Sequence, residues 1–359
     1  MRILRKKAAL RPPFFRIIMK NIKSSKEKRG TAMNQTLIIG KKDAEELLTM
    51  DACIRAMEET FRDISAGKTT MLQRSMMPQK KGNTFALMAS DNQQQEICGV
   101  KTIVFPGSEA KKNGTSQGII PLFDSATGAL LAIVDAEHIT ALRTAAASAA
   151  ATRVLAREDS CTLGLLGAGR IGRMHIAAIS QVRPIRRVFV WNRTPAGGEA
   201  CCKWVKEQLG LEAVLCETPR EATEQADILC TVTQAKEPLV EGEWIKEGAH
   251  INAVGACAPT AREVDSRTVC RSAIYLDQRQ AALRDGGDLV IPLEKGELSM
   301  DNIRGEVGQV LLGTVPGRQS PEEITFFESV GIAVEDLSAA HLLYQLALEK
   351  GRGTMVEIG

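Results

Sequence analysis

Residues 162–179 read TLGLLGAGRIGRMHIAAI. An apolar run enters Gly167-Ala168-Gly169-Arg170-Ile171-Gly172, and a helix-like stretch leaves it. Gly167 permits a tight turn, Gly169 lets backbone approach a pyrophosphate, and Gly172 allows close helix–strand packing; the helix N-terminus offers amide protons to phosphate. Taken alone, the pattern also suits a glycine-rich turn in an ordinary α/β domain. The following chain favours the dinucleotide cradle. It alternates strand 161–166, helix 170–182, strand 187–191, helix 198–209 and strands 213–216, 227–232 and 249–254, as a parallel sheet with crossover helices does. The expected fold class is therefore α/β, with a Rossmann-type doubly wound parallel sheet domain.

The next diagnostic position ends the second strand, in RVFVWNRTP. A site for NAD expects Asp or Glu there, to hold the ribose 2′-hydroxyl. Asn192-Arg193-Thr194 stands instead. A guanidinium and a hydroxyl with no repelling carboxylate suit a 2′-phosphate, so NADP(H) is favoured and NAD(H) is the alternative.

Upstream, 43–66 carries apolar residues at helical spacing. β-like runs follow at 84–90, 97–105, 118–124 and 129–135, and an Ala-rich helix at about 136–157. A last helix is expected at about 334–350. These segments predict a second, α+β unit. No apolar run approaches the roughly 20 residues of a membrane span. Nine scattered cysteines and four histidines show no C-x-x-C pair and no cluster. No metal site or disulfide framework is expected, and a reducing cytoplasm suits the chain.

Charge is uneven along the 359 residues. Of 46 basic and 43 acidic residues, eleven and one respectively fall in 1–32, so the remainder is acidic, 42 against 35. An Arg-rich transit peptide is one reading of that leader. We favour a mis-assigned start, with Met33 the expected initiator: Lys26-Glu27-Lys28-Arg29-Gly30 can be encoded by a nearly unbroken purine run, as a ribosome-binding site is. No nucleic-acid or membrane partner is expected for the remainder.

Three cations lie where charge is costly. Lys101 sits in ICGVKTIVF, a run apolar on both faces and so expected to be buried. Arg74, in MLQRSMM, shares a strand face with Leu72 and Met76. Arg143 lies on a helical stripe otherwise made of Ala147, Ala150 and Val154. Singly, each reads as a snorkelling chain or half of an ion pair. Together they read as a pocket for a small carboxylate.

KTIVFPGS, ITALRTAAASAAAT, GLLGAGRIG, HINAVGACAPTAREVD and FESVGIAVEDLSAA resemble the ornithine cyclodeaminase/mu-crystallin family, from about Leu37 to the final helix. The resemblance implies a homodimer. Residues 33–157 with 312–359 would form the substrate-binding and dimerisation domain, and 158–311 the dinucleotide-binding domain inserted between them. It implies that Arg74, Lys101 and Arg143 hold a substrate carboxylate, with Lys101 and Arg143 closest to the chemistry and Cys257 and Val330 bordering the substrate. Thr115 or Ser116 would approach the cofactor from the first domain. Arg170 and Ile171 would lie over the pyrophosphate, and Thr231, Val254, Gly255 and Ser329 would line the nicotinamide side. Cyclodeaminases carry Asp where this chain has Cys257, and a thiol of ordinary pKa about 8.5 is mostly neutral at pH 7. The expectation is an NADPH-dependent reductase of an imine next to a carboxylate, such as a cyclic ketimine. The alternatives are ornithine cyclodeaminase, an alanine-type amino-acid dehydrogenase, and a non-enzymatic crystallin-like binding protein.

Overall fold

The computed structural model describes residues 35–107 and 116–358. The leader, Met33 and Thr115 lie outside the described residues. Two eight-stranded sheets organise the chain. The first holds β1 (Gln35–Ile39), β2 (Thr69–Met71), β3 (Ser75–Pro78), β4 (Thr84–Asn92), β5 (Ile97–Phe105), β6 (Gln117–Asp124) and β7 (Leu130–Asp135). The second holds β8 (Thr162–Leu166), β9 (Arg187–Trp191), β10 (Glu212–Leu215), β11 (Ile228–Thr231), β12 (His250–Ala253), β13 (Ser272–Leu276), β14 (Ile303–Glu306) and β15 (Ile324–Glu328). β16 (Thr354–Glu357) returns to pair with β1.

The first sheet runs β16-β1-β7-β6-β5-β4-β2, with β3 on β4. It is antiparallel except for the β1–β7 pair. The second runs β10-β9-β8-β11-β12-β15-β13-β14 and every pair is parallel. Its strand order reverses direction beside β8, between β9 and β11. In open α/β sheets the crevice at such a switch point, outside the carboxyl ends of the strands, takes the ligand.

The expected helix 43–66 is two helices, α1 (Lys41–Leu47) and α2 (Met50–Ser65). Thr49 breaks it, its hydroxyl accepting from Ala52 N at 3.3 Å as the N-cap of α2. α2 buries Met50, Cys53, Ile54, Met57 and Phe61, one stripe of a 3.6-residue helix. α3 (Ala136–Leu155) starts on Asp135, whose carboxylate accepts from His138 N. Its alanines let it pack closely against both α2 and α4 (Arg170–Val182), so it joins the two sheets' layers.

Two expectations change. Residues 312–359 do not all belong with the first sheet. Ile324–Glu328 is a strand of the second, wholly buried between β12 and β13; its ITFFE composition suits a strand covered on both faces. β5 is not buried on both faces: Ile97, Lys101 and Ile103 point inward, while Val100 and Val104 are half-exposed on an outer face. Leu87, Thr102 and Ile119 lie in register across that outer face of β4, β5 and β6. Pro195–Trp204 forms α5, and after β15 the chain forms α6 (Ala333–Lys350). α6 packs on β4, β5 and β6 and carries its N-terminus to the junction of the two sheets. Among the described residues no helix is long and apolar enough to cross a membrane.

Candidate active site

The cradle is built from glycines whose missing side chains matter in different ways. Gly167 has φ +104°, and a Cβ there would lie 2.5 Å from Val232 O. A Cβ on Gly172 would lie 2.0 Å from Gly167 O, so only glycine lets α4 start this close to β8. Gly169, the N-cap of α4, has nothing within 4 Å of its Cβ direction and no side-chain cap. The free amides of this helix end therefore face open space, as a pyrophosphate requires. Ile171 opens the helix beside them.

Asn192 shapes the ribose corner. Its Oδ1 accepts from Ala168 N at 3.0 Å, and its Nδ2 donates to Thr194 O and Oγ1, both at 2.9 Å. Its polar atoms thus tie the glycine loop to the turn after β9, and Arg193 and Thr194 are left exposed. Arg170, expected over the pyrophosphate, is instead turned to Glu137 and to His138 Nδ1 at the start of α3. These residues fit a nicotinamide dinucleotide in the glycine cradle and the ribose corner.

At the carboxyl ends of β11 and β12, the following turns are held by one buried carboxylate. Glu263 Oε1 accepts from Thr233 N at 2.6 Å and Oε2 from Gly255 N at 2.7 Å. Thr231, the last residue of β11, and Val254, the first after β12, are buried, as is Ser329 after β15. Ser116 is half-buried immediately before β6.

The three cations converge from separate elements, β5, α3 and the β2–β3 loop, upon the turn after β15 and the start of α6. Lys101 Nζ donates to Asp336 Oδ2 at 2.6 Å. Arg143 Nε donates to Asp336 Oδ1 at 2.9 Å and its Nη1 to Glu335 Oε2 at 2.5 Å. Arg74 Nη2 donates to both Val330 O and Gly331 O at 2.6 Å. Burial explains Lys101 and Arg143, at 3% and 4% exposure, but not Arg74. Arg74 lies in a loop, and its supposed face-mates Leu72 and Met76 are 70% and 50% exposed. It joins the site by reaching back to the 330–331 peptide.

Glu335 and Asp336 are not among the residues expected from the sequence, yet in VEDLSAA they too are charges in apolar surroundings. At the first turn of α6 they also complement the helix dipole. One Lys hydrogen and three Arg143 hydrogens are used by these acids, counting a 3.5 Å bond from Nη2 to Asp336. Two donors remain on each of these groups and three on Arg74, whose Nε is buried without a partner.

Burial pulls Lys101 down to about 8, although Asp336 opposes the shift. Burial raises Glu335 despite the Arg143 charge, whereas for Asp336 the Arg143 and Lys101 charges outweigh burial and hold it low. Cys257 is exposed at the cleft, but its Sγ is turned inward and donates to Val254 O at 3.3 Å. Burial of the sulfur raises its pKa, with Arg74 the first opposing charge, so the group is a neutral thiol at pH 7. Val330 is buried between the cations and Ser329.

The sequence profile of the ornithine cyclodeaminase/mu-crystallin family matches residues 34–351. The chain belongs to the ornithine cyclodeaminase/mu-crystallin family. Within this family, ketimine reductase mu-crystallin of Mus musculus is 37% identical over 273 residues, 76% of this chain and 83% of the relative. Thermococcus litoralis Δ1-pyrroline-2-carboxylate reductase, solved in complex with NADH and L-proline, superposes with a TM-score of 0.86 at 37% identity, covering 89% of this chain and 99% of that one. An archaeal alanine dehydrogenase dimer with bound NAD superposes with a TM-score of 0.85 at 30% identity, covering 90% and 100%.

Proposed function

We propose that this chain reduces an imine adjacent to a carboxylate, a cyclic ketimine such as pyrroline-2-carboxylate or piperideine-2-carboxylate, with NADPH favoured over NADH. One observation carries the reading: Arg74, Lys101 and Arg143 converge on the turn after β15 and the start of α6, and the charges of Arg74 and Arg143 reach the neutral thiol of Cys257 after β12. Arg74 and Arg143 grip the carboxylate through their spare donors, orienting the neighbouring C=N carbon. The nicotinamide supplies hydride when bound. Lys101 holds a proton at Nζ near the nitrogen end, and its lowered pKa leaves that proton transferable near neutrality. The names of the reductase relatives support the same substrate class. Exposed Arg193 and Thr194, with no carboxylate in the Asn192 position, support NADPH.

The outer face of β4–β6, with Leu87 and Ile119 exposed, supports a homodimer; so does the dimeric alanine dehydrogenase relative. Nine free cysteines suit a reducing cytoplasm. The likeness to alanine dehydrogenase favours a second reading, oxidation or reductive amination of a small amino acid with NAD. NADPH and NADH oxidation followed at 340 nm with pyrroline-2-carboxylate, piperideine-2-carboxylate, and pyruvate plus ammonia separates the two. We expect turnover of a cyclic ketimine, faster with NADPH. Turnover of pyruvate with ammonia and NADH alone overturns the reading.

A further inference from the structure

The turn after β15 bears on both arginines of the carboxylate grip, and a residue that touches neither of them holds it in place. Asp277 follows β13 and is 1% exposed. Its Oδ2 accepts from Val330 N at 2.9 Å and Gly331 N at 3.0 Å, and its Oδ1 from Gln278 N at 2.6 Å. The two carbonyls of that dipeptide are the groups on which Arg74 rests, both at 2.6 Å. Gly331, at φ +71°, faces the other arginine: a Cβ there would lie 2.9 Å from Arg143 Nη1. One carboxylate therefore fixes the N–H edge of a peptide whose C=O edge places Arg74 and whose α-carbon abuts Arg143.

We propose that Asp277 is a positioning residue for substrate-carboxylate recognition, setting the spacing of Arg74 and Arg143 through the Val330–Gly331 peptide. The inference rests on the reading of those arginines as the carboxylate grip. Three N–H donors converge on this side chain, which calls for an acceptor at both oxygens. Glu328, Glu335 and Cys257 are the other titratable groups that face it. An asparagine of the same shape keeps one acceptor and turns an NH2 toward an N–H, either at Gln278 or at the dipeptide. The turn then shifts, and a shift of this kind far from the reacting atoms costs up to about a hundredfold in rate.

The test compares wild type with Asp277→Asn on two imines, pyrroline-2-carboxylate and the same ring without its carboxylate, 1-pyrroline. NADPH affinity is read by its fluorescence on binding, and folding by circular dichroism. We expect Asp277→Asn to lower kcat/KM for the carboxylate-bearing imine by about tenfold to a hundredfold, chiefly through KM. Turnover of 1-pyrroline and NADPH affinity should stay within about twofold. Gly331→Ala, which disturbs the same peptide from the Arg143 side, should lose the same preference, so the proposal remains testable if Asp277→Asn does not fold. Equal losses on both imines in the folded variant, or an unchanged preference for the carboxylate, overturn the assignment. A wild-type protein that turns over both imines without preferring the carboxylate overturns the underlying reading and the assignment with it.

Discussion

Lys101 shows how a single buried charge is made useful. Burial alone would neutralise it, and Asp336 alone would keep it fully charged at alkaline pH; together they leave it near 8. Below that value Nζ carries the proton that imine reduction consumes, and above it the proton is lost. Wild-type kcat/KM for a cyclic ketimine should therefore be level below pH 7 and fall tenfold per unit well above pH 8. Lys101→Met should lower turnover by about a hundredfold to ten-thousandfold and abolish that alkaline limb. A Lys101→Met protein with near-normal turnover and an unchanged pH profile rules out the proton role. The residue was legible from ICGVKTIVF because a cation in an apolar strand demands a partner. Arg74 was found by the same argument for a reason the structure does not support, since Leu72 and Met76 face outward. Asp277 left no such mark: its partners are main-chain amides brought by β15, and no spacing in sequence announces them.

At the scale of elements, the strand–glycine–helix unit was readable because each part reports on its neighbour. An apolar run predicts β8, the glycines predict its turn, and periodicity predicts α4. β15 was hidden because ITFFE follows a long irregular stretch and its sheet neighbours, β12 and β13, lie far off in sequence. β16 is a short edge strand and β1 lies between it and β7, and these pairings are likewise non-local. The glycines of the cradle separate packing from binding. Gly172→Ala sets a methyl against Gly167 O, so it should destabilise the protein by about 1–3 kcal/mol. Gly169→Ala meets open space and a φ of −71°, so its melting temperature should match wild type. NADPH binding should nonetheless weaken by about tenfold, because the methyl fills the approach to the helix amides. Thermal melts and nucleotide titrations of the two variants check this; equal melting points contradict it.

The whole molecule carries more buried acid than buried base around its second sheet. Asp288 is pushed up to about 7 by burial and then by Glu263, and Glu328 is raised by burial and then by Asp288. Because both values are raised on folding, the folded protein binds more protons than the unfolded chain between the ordinary carboxylate range and these values. Stability is thus full below the ordinary carboxylate range on this account and is lost progressively as pH rises from there through about 7. The melting temperature should be lower at pH 8 than at pH 6.5, and Asp288→Asn should narrow the difference. A higher melting temperature at pH 8 contradicts the assignment of these charges. Below about pH 6.5 the buried His175 and His250 oppose this slope, because the unfolded chain takes up protons that they refuse, and above about 8 Lys101 opposes it in the same way.

The placement of Glu335 and Asp336 has a consequence for the order in which the chain is made. Lys101 and Arg143 leave the ribosome long before the two acids that neutralise them, separated by 235 and 193 residues along the chain. Until α6 arrives, β5 and α3 must keep those charges in water, and the layer that α6 covers stays open. With those cations unpaired, the first sheet is expected to stay open at this layer until α6 has been made.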